Sequence, residues 1–214
     1  MATALARTDH HTNEGPAGSA TSSWTVTTVV YGDLDDSTTL LRDLGDEQWL
    51  DVLHTYRFIV AQRVDAHSGD RVRTWGDGFM ATFADSTAAQ RSAVEIQQAL
   101  ARFSRQHPEA PLRARLGVHT GRVIEVGDDC YGVTVHLAAR LTDAAAGGRI
   151  LVSADAREAG RLHEGNYNPE QRRLALKGWC EPQVAYELSW RDGTAGATAQ
   201  EARATPVFQR VVLL

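Results

Sequence analysis

Two aspartates stand where metal-assisted chemistry places its ligands. Asp33 closes an apolar, β-branched run that begins at Thr25, and Asp77 sits in Gly76-Asp77-Gly78 between two short apolar segments. A carboxylate at a strand end and another in a tight hairpin can converge on one pair of hard cations. Mg²⁺ takes oxygen ligands and commonly only one or two protein carboxylates, with water and phosphate completing its shell. Two such ions about 3.5–4 Å apart clamp both the attacking and the leaving oxygen of an in-line displacement. The same residues also have a plainer use, Asp33 as a turn residue and Asp77 as the filler of an Asp-Gly hairpin. These two segments alone leave both uses open.

The elements that must position them follow from periodicity. Trp24–Leu34 reads as a buried strand. Ser37 or Thr38 can cap a helix whose apolar positions run from Leu40 to Val64 at helical spacing, with Gly45 as an interruption. Arg71–Trp75 and Phe79–Phe83 read as a hairpin around Gly76-Asp77-Gly78. Asp85-Ser86 caps a second helix reaching about His107, with Ala93, Ile96, Leu100 and Phe103 inward. Leu112–Val126 reads as one or two strands, Thr134–Ala145 as a helix ending at Gly147-Gly148, and Arg149–Val152 as a strand. Arg172–Leu176 and Gln183–Leu188 read as a closing strand pair. Interleaved helices and strands with one antiparallel hairpin give an α+β fold with a mixed sheet of the ferredoxin-like kind.

Composition sets the frame. The chain has 214 residues, 43% hydrophobic content and a net charge of −5, enough for one domain with a real core. A nucleic-acid binder is normally basic, so no nucleic-acid partner is expected. Two cysteines, Cys130 and Cys180, fit a reducing cytoplasm better than a disulfide framework. Residues 1–23 read as a disordered lead-in without a secretory core, 24–190 as one domain, and 191–214 as a tail of unassigned role. No run approaches a membrane span.

Five ordered blocks resemble the catalytic domain of class III nucleotidyl cyclases, across roughly Thr27 to Leu188. They are Tyr31-Gly32-Asp33-Leu34, the hairpin Arg73-Thr74-Trp75-Gly76-Asp77-Gly78-Phe79, the strand Arg115-Leu116-Gly117-Val118-His119-Thr120-Gly121, the stretch from Asp129 through Gly132 and His136 to Arg140, and Leu176-Lys177-Gly178. The resemblance implies a palm-type domain working as a head-to-tail homodimer with shared active sites. It implies attack of a ribose 3′-hydroxyl on the α-phosphate of a nucleoside triphosphate, with release of pyrophosphate. Asp33, Asp77 and, with them, Leu34 are then ligands for two divalent ions, Mg²⁺ or Mn²⁺. Lys177 meets the β/γ-phosphates, Arg140 stabilises charge on the transferring phosphoryl group, and His136 stands where many members carry a hydrogen-bonding Asn. Arg115 either reaches phosphate or pairs with an acid on the sheet, and His119 looks structural.

The base-reading positions depart from the adenylate cyclase pattern. Arg73 replaces a Lys, while the partner acid is kept as Asp129, and Trp75 is bulky where Thr or Ile is usual. Arg only donates and ionised Asp only accepts, which suits a base edge offering an acceptor beside an N–H. Uracil offers this edge with a carbonyl and N3–H; guanine does too, with O6 and N1–H, but is larger, and cytosine and adenine can match it with a ring nitrogen and an amino group. Arg at this position resembles the stand-alone pyrimidine cyclases of bacterial Pycsar anti-phage systems. That implies UTP, or else CTP, as substrate and a cyclic product acting on a separate effector. An ordinary adenylate cyclase is the alternative. Asp35 and Asp36 stand where the family has a small residue and Gly, which keeps open a degenerate nucleotide-binding regulatory module.

Overall fold

The computed structural model describes residues 23–70, 72–127 and 129–191, so the expectations for 1–22 and 192–214 lie outside the described residues. In chain order the elements are β1 (Ser23–Leu34), α1 (Ser37–Leu44), α2 (Asp46–Ala66), β2 (Val72–Trp75), β3 (Gly78–Phe83), α3 (Ser86–Gln106), β4 (Ala114–Val126), β5 (Asp129–Tyr131), α4 (Val133–Ala144), β6 (Ile150–Ser153), α5 (Ala154–Ala159), β7 (Tyr167–Leu174) and β8 (Gln183–Leu188), with a 3₁₀ turn at Glu164–Asn166. The sheet runs β2-β3-β1-β4-β6-β8-β7, and β5 pairs with β4 beside this path. The β4–β6 pair is parallel; β1–β3 and β1–β4 are antiparallel. This is the mixed-sheet α+β architecture expected.

Local chemistry explains the boundaries. Gly45, at φ 77°, splits the first helical run into α1 and α2. The Asp85 side chain accepts from the Thr87 N–H at 2.8 Å and starts α3. β4 is one strand of 13 residues rather than two. Its Gly117 is obligatory, because a Cβ there would lie 2.3 Å from the Ala138 carbonyl of α4.

The two faces of the sheet carry different work. On one, α2 and α3 bury Leu53, Tyr56, Val60, Ile96, Leu100 and Phe103 with Val30, Leu34, Phe79 and Leu116. Each such apolar side chain contributes about 1.5–3 kcal/mol. On the other, α4 covers the sheet through Leu137 and Leu141, while Ala138 packs with Val29, Met80, Val123 and Cys130. One expectation needs correcting. β1 is not buried throughout, since Trp24 is 59% and Val26 63% exposed. Its β3 partner covers only Thr28 to Gly32, so the first residues lack a second neighbouring strand.

Candidate active site

Alternation places Tyr31 and Asp33 of β1 on the α4 face of the sheet, as it does Arg73 and Trp75 of β2. Asp33 is directly opposite Arg115 across β1 and β4. Arg115 forks onto it, Nε to Oδ1 and Nη2 to Oδ2, both 2.9 Å. That answers one open question, because Arg115 pairs with an acid on the sheet. Burial pushes the Asp33 carboxyl above its ordinary range, against the pull of Arg115, and the charge of Asp77 pushes the same way. Asp33 and Asp77 are therefore close enough to repel. Divalent cations bound by the two carboxylates would relieve that repulsion, so the residues present fit the metals that the sequence implies. Among the described residues no three His, Cys, Asp or Glu side chains converge on a metal position. Two carboxylates with the rest left to peptide oxygen, water and phosphate is the pattern Mg²⁺ favours. The Leu34 side chain is 2% exposed and belongs to the core, so what this residue can offer a cation is its peptide carbonyl.

The two residues expected to read the base come together. The β4–β5 hairpin folds over the α4 face, with Cys130 packed beside Val29 and Met80. Arg73 Nη1 then donates to Asp129 Oδ2 at 2.9 Å, although the two residues are 56 apart in sequence. The Tyr131 hydroxyl donates to the same oxygen at 2.7 Å. Trp75 is 43% exposed and stands against Tyr31, ring centroids 5.0 Å apart. An aromatic wall thus flanks a forked donor and a carboxylate.

Outward on α4, His136 is exposed and Arg140 half-buried. Four residues apart, they share one helical face. Arg140 Nη1 reaches Asp143 Oδ2 at 2.7 Å. Lys177 is exposed in the turn between β7 and β8, anchored by Leu176, which is buried with Leu137 and Leu141. His119 is structural as expected. It is 7% exposed and holds Ser153 Oγ at 2.8 Å through Nδ1. Burial lowers its pKa despite the nearby Asp155.

A family model, the adenylate and guanylate cyclase catalytic domain, matches residues 20–189. The chain belongs to this family. An uncharacterised Mycobacterium tuberculosis protein is 32% identical to this chain over 183 residues, 82% of this chain and 44% of its own length. A second M. tuberculosis protein is 29% identical over 170 residues, 77% of this chain and 56% of its own. The chain thus spans about half the length of these curated relatives. Among solved structures, the adenylyl cyclase CyaB from P. aeruginosa superposes with TM-score 0.71 at 20% identity, covering 82% of this chain and 100% of its own. The guanylyl cyclase Cya2 gives 0.70 at 24% identity, covering 78% and 92%. These two establish the fold.

Within the cyclase domain, the acidic loop after β1 does not aim both of its charges at the same place. Asp35 lies over Gly147, where a Cβ would come within 2.0 Å of its Oδ2, and 3.7 Å from Arg113. Asp36 takes the left-handed conformation, φ 60°, at the N-cap of α1, and its side chain makes no cap hydrogen bond. Left-handed backbone costs an L-residue about 1–2 kcal/mol, partly offset by a carboxylate at a helix N-terminus, about 0.3–1 kcal/mol. Asp36→Gly is therefore expected to raise the free energy of unfolding by about 0.5–1 kcal/mol, measured by denaturant titration. Three residues escaped sequence reasoning: Tyr131, Asp143 and Arg57. Tyr131 had a signal, two residues after Asp129, but only once 129–131 is known to be a strand.

Proposed function

We propose that the protein cyclises a nucleoside triphosphate, with UTP preferred, to a 3′,5′-cyclic nucleotide and pyrophosphate. The contact between Arg73 and Asp129 carries the base assignment. A forked donor and an ionised acceptor side by side match the O4 or O2 carbonyl and the N3–H of uracil. Trp75 against Tyr31 narrows the adjoining space, which disfavours a purine by shape. A site whose polar readers are left unpaired by the wrong base can discriminate strongly.

In the reaction the ribose 3′-oxygen bonds to the α-phosphorus and gives up its proton to solvent water. The bond from that phosphorus to the bridging oxygen breaks, and pyrophosphate leaves. Two divalent ions, Mg²⁺ or Mn²⁺, when bound supply charge neutralisation and a lowered pKa for the 3′-hydroxyl. Asp33, Asp77 and the Leu34 carbonyl are the groups that would hold them. Arg115 holds the Asp33 carboxylate through its fork, and Lys177 serves the β/γ-phosphates as a point charge. Arg140 stabilises charge as it develops on the transferring group, and His136 hydrogen-bonds there.

Assembly as a head-to-tail homodimer is part of this reading. His136 and Arg140 face outward on α4, and Val133 on the same face is 67% exposed. Tyr131 at 53%, with Trp24 and Val26, extends the exposed apolar surface, as expected of a face that a second copy covers. The product acts on a separate effector in the cytoplasm, as in Pycsar defence. Among the described residues no helix is long and apolar enough to cross a membrane.

The test is Mn²⁺-dependent pyrophosphate release from each of the four nucleoside triphosphates. Release is expected from all-wild-type protein, fastest with UTP. Nucleotide binding without release would identify a regulatory module instead, and fastest release from ATP would make Arg73 a substitute for Lys.

A further inference from the structure

Behind the hairpin that carries Asp77, α2 presents two polar groups. Arg57 Nη2 donates to the Gly76 carbonyl at 2.6 Å, a charge-assisted bond. Arg57 Nε is buried with no hydrogen-bond partner among the described residues. The adjacent Tyr56 is 1% exposed, and its hydroxyl is also buried without such a partner. Its ring meets Phe79 of β3 edge-on, centroids 6.3 Å apart. Burial is the main influence on that hydroxyl, but the charges of Asp33, Asp77 and Arg57 all act on it. The back of α2 is therefore close to both aspartates.

Gly76 and Asp77 form a two-residue hairpin loop, since Trp75 pairs with Gly78. Gly76 is left-handed at φ 51°, and a Cβ there would meet nothing, so the position is free to turn. The peptide joining Gly76 to Asp77 is the loop's weak point. Rotating it by half a circle exchanges the directions of the Gly76 carbonyl and the Asp77 N–H and leaves the flanking strands in place. It also changes the backbone angle from which the Asp77 carboxylate projects. A guanidinium gripping that carbonyl selects one of the two states. Its base is rigid, because Leu53, Tyr56, Val60 and Val64 anchor α2 in the core.

We propose that Arg57 is a positioning residue for Asp77: it locks the Gly76–Asp77 peptide so that the Asp77 carboxylate meets the same cations as Asp33. This rests on the metal assignment made above for the two aspartates. Arg57 touches neither substrate nor metal; it acts through the peptide.

The test compares Arg57→Met, similar in length but without donors, and Arg57→Lys with wild type and Asp77→Ala in the full chain. Mn²⁺ alone is the probe, with the free ion followed by electron paramagnetic resonance. Pyrophosphate release against Mn²⁺ concentration is the second readout. Arg57→Met is expected to weaken Mn²⁺ half-saturation about 10-fold, the lower end of what outer-layer partners cost a metal site. The Mn²⁺ requirement of turnover should shift equally while the nucleotide KM changes little. Arg57→Lys should recover much of the affinity, and the melting temperature should stay near wild type. Wild-type Mn²⁺ affinity in Arg57→Met overturns the proposal. Equal losses in both variants with a lowered melting temperature also overturn it, assigning Arg57 a general structural role. If Arg57→Met does not fold, Arg57→Gln, whose shorter amide falls short of the Gly76 carbonyl, decides: Mn²⁺ binding weaker than wild type at an unchanged melting temperature supports the proposal, and unchanged binding overturns it. Undiminished Mn²⁺ binding by Asp77→Ala has a different meaning, since it removes the metal assignment itself.

Discussion

Asp77→Ala and Asp33→Ala are each expected to lower turnover by about 10³-fold or more, equivalent to about 4 kcal/mol of transition-state stabilisation. On the proposed two-metal reading, each removes a charged ligand for which no neighbour substitutes. The loss should exceed the 10–100-fold, about 1.4–2.7 kcal/mol, that removing an outer-layer partner costs. Folding should survive both changes. Asp77 lies in a hairpin loop, and the Asp33 side chain retains 25% exposure at a strand end. Burial already raises the Asp33 pKa, so its ionised form is not a source of fold stability. Arg115, left without its fork partner, is 30% exposed and can turn to water. Turnover by initial rate and melting by circular dichroism separate the two effects. Near-native turnover in Asp77→Ala would contradict two-metal catalysis at this site.

Mixing inactive Asp77→Ala with inactive Arg140→Ala is expected to restore activity to about a quarter of wild type, as follows from the arithmetic of a two-fold dimer with shared sites. At equal concentrations half of the randomly exchanged dimers are heterodimers. In each, one site has lost both its metal aspartate and its arginine, and the other is whole. The outward face of Arg140 and His136, with the exposed Val133 beside them, motivates the expectation. Subunit exchange is verified by mass spectrometry of tagged chains. Absence of rescue after proven exchange would place every catalytic residue within one chain.

Local signals carried much of the fold. The β-branched run of β1, the Gly76-Asp77-Gly78 hairpin and the Asp85 cap with its Ala93, Ile96, Leu100 and Phe103 stripe were legible because each is decided by neighbours in sequence. What needed register was not legible. Arg115 could be weighed against phosphate or acid but not assigned, because only the Asp33 to Arg115 pairing across β1 and β4 joins them. β5 has three residues and α5 six, too short to show a period. Arg57 carried no signal, since nothing in α2 reveals that a hairpin nineteen residues away turns its carbonyl toward it. The pairing of Arg73 with Asp129 was anticipated as a joint role, but their contact depends on the curl of the β4–β5 hairpin over the α4 face.

The base assignment is tested most directly by incubating the protein with Mn²⁺ and equal concentrations of ATP, GTP, CTP and UTP together, then identifying the cyclic products by mass spectrometry. The account predicts that 3′,5′-cUMP dominates, and that Arg73→Ala flattens the preference among bases while leaving the metal requirement in place. Dominance of cAMP in the wild-type protein would contradict the pyrimidine assignment.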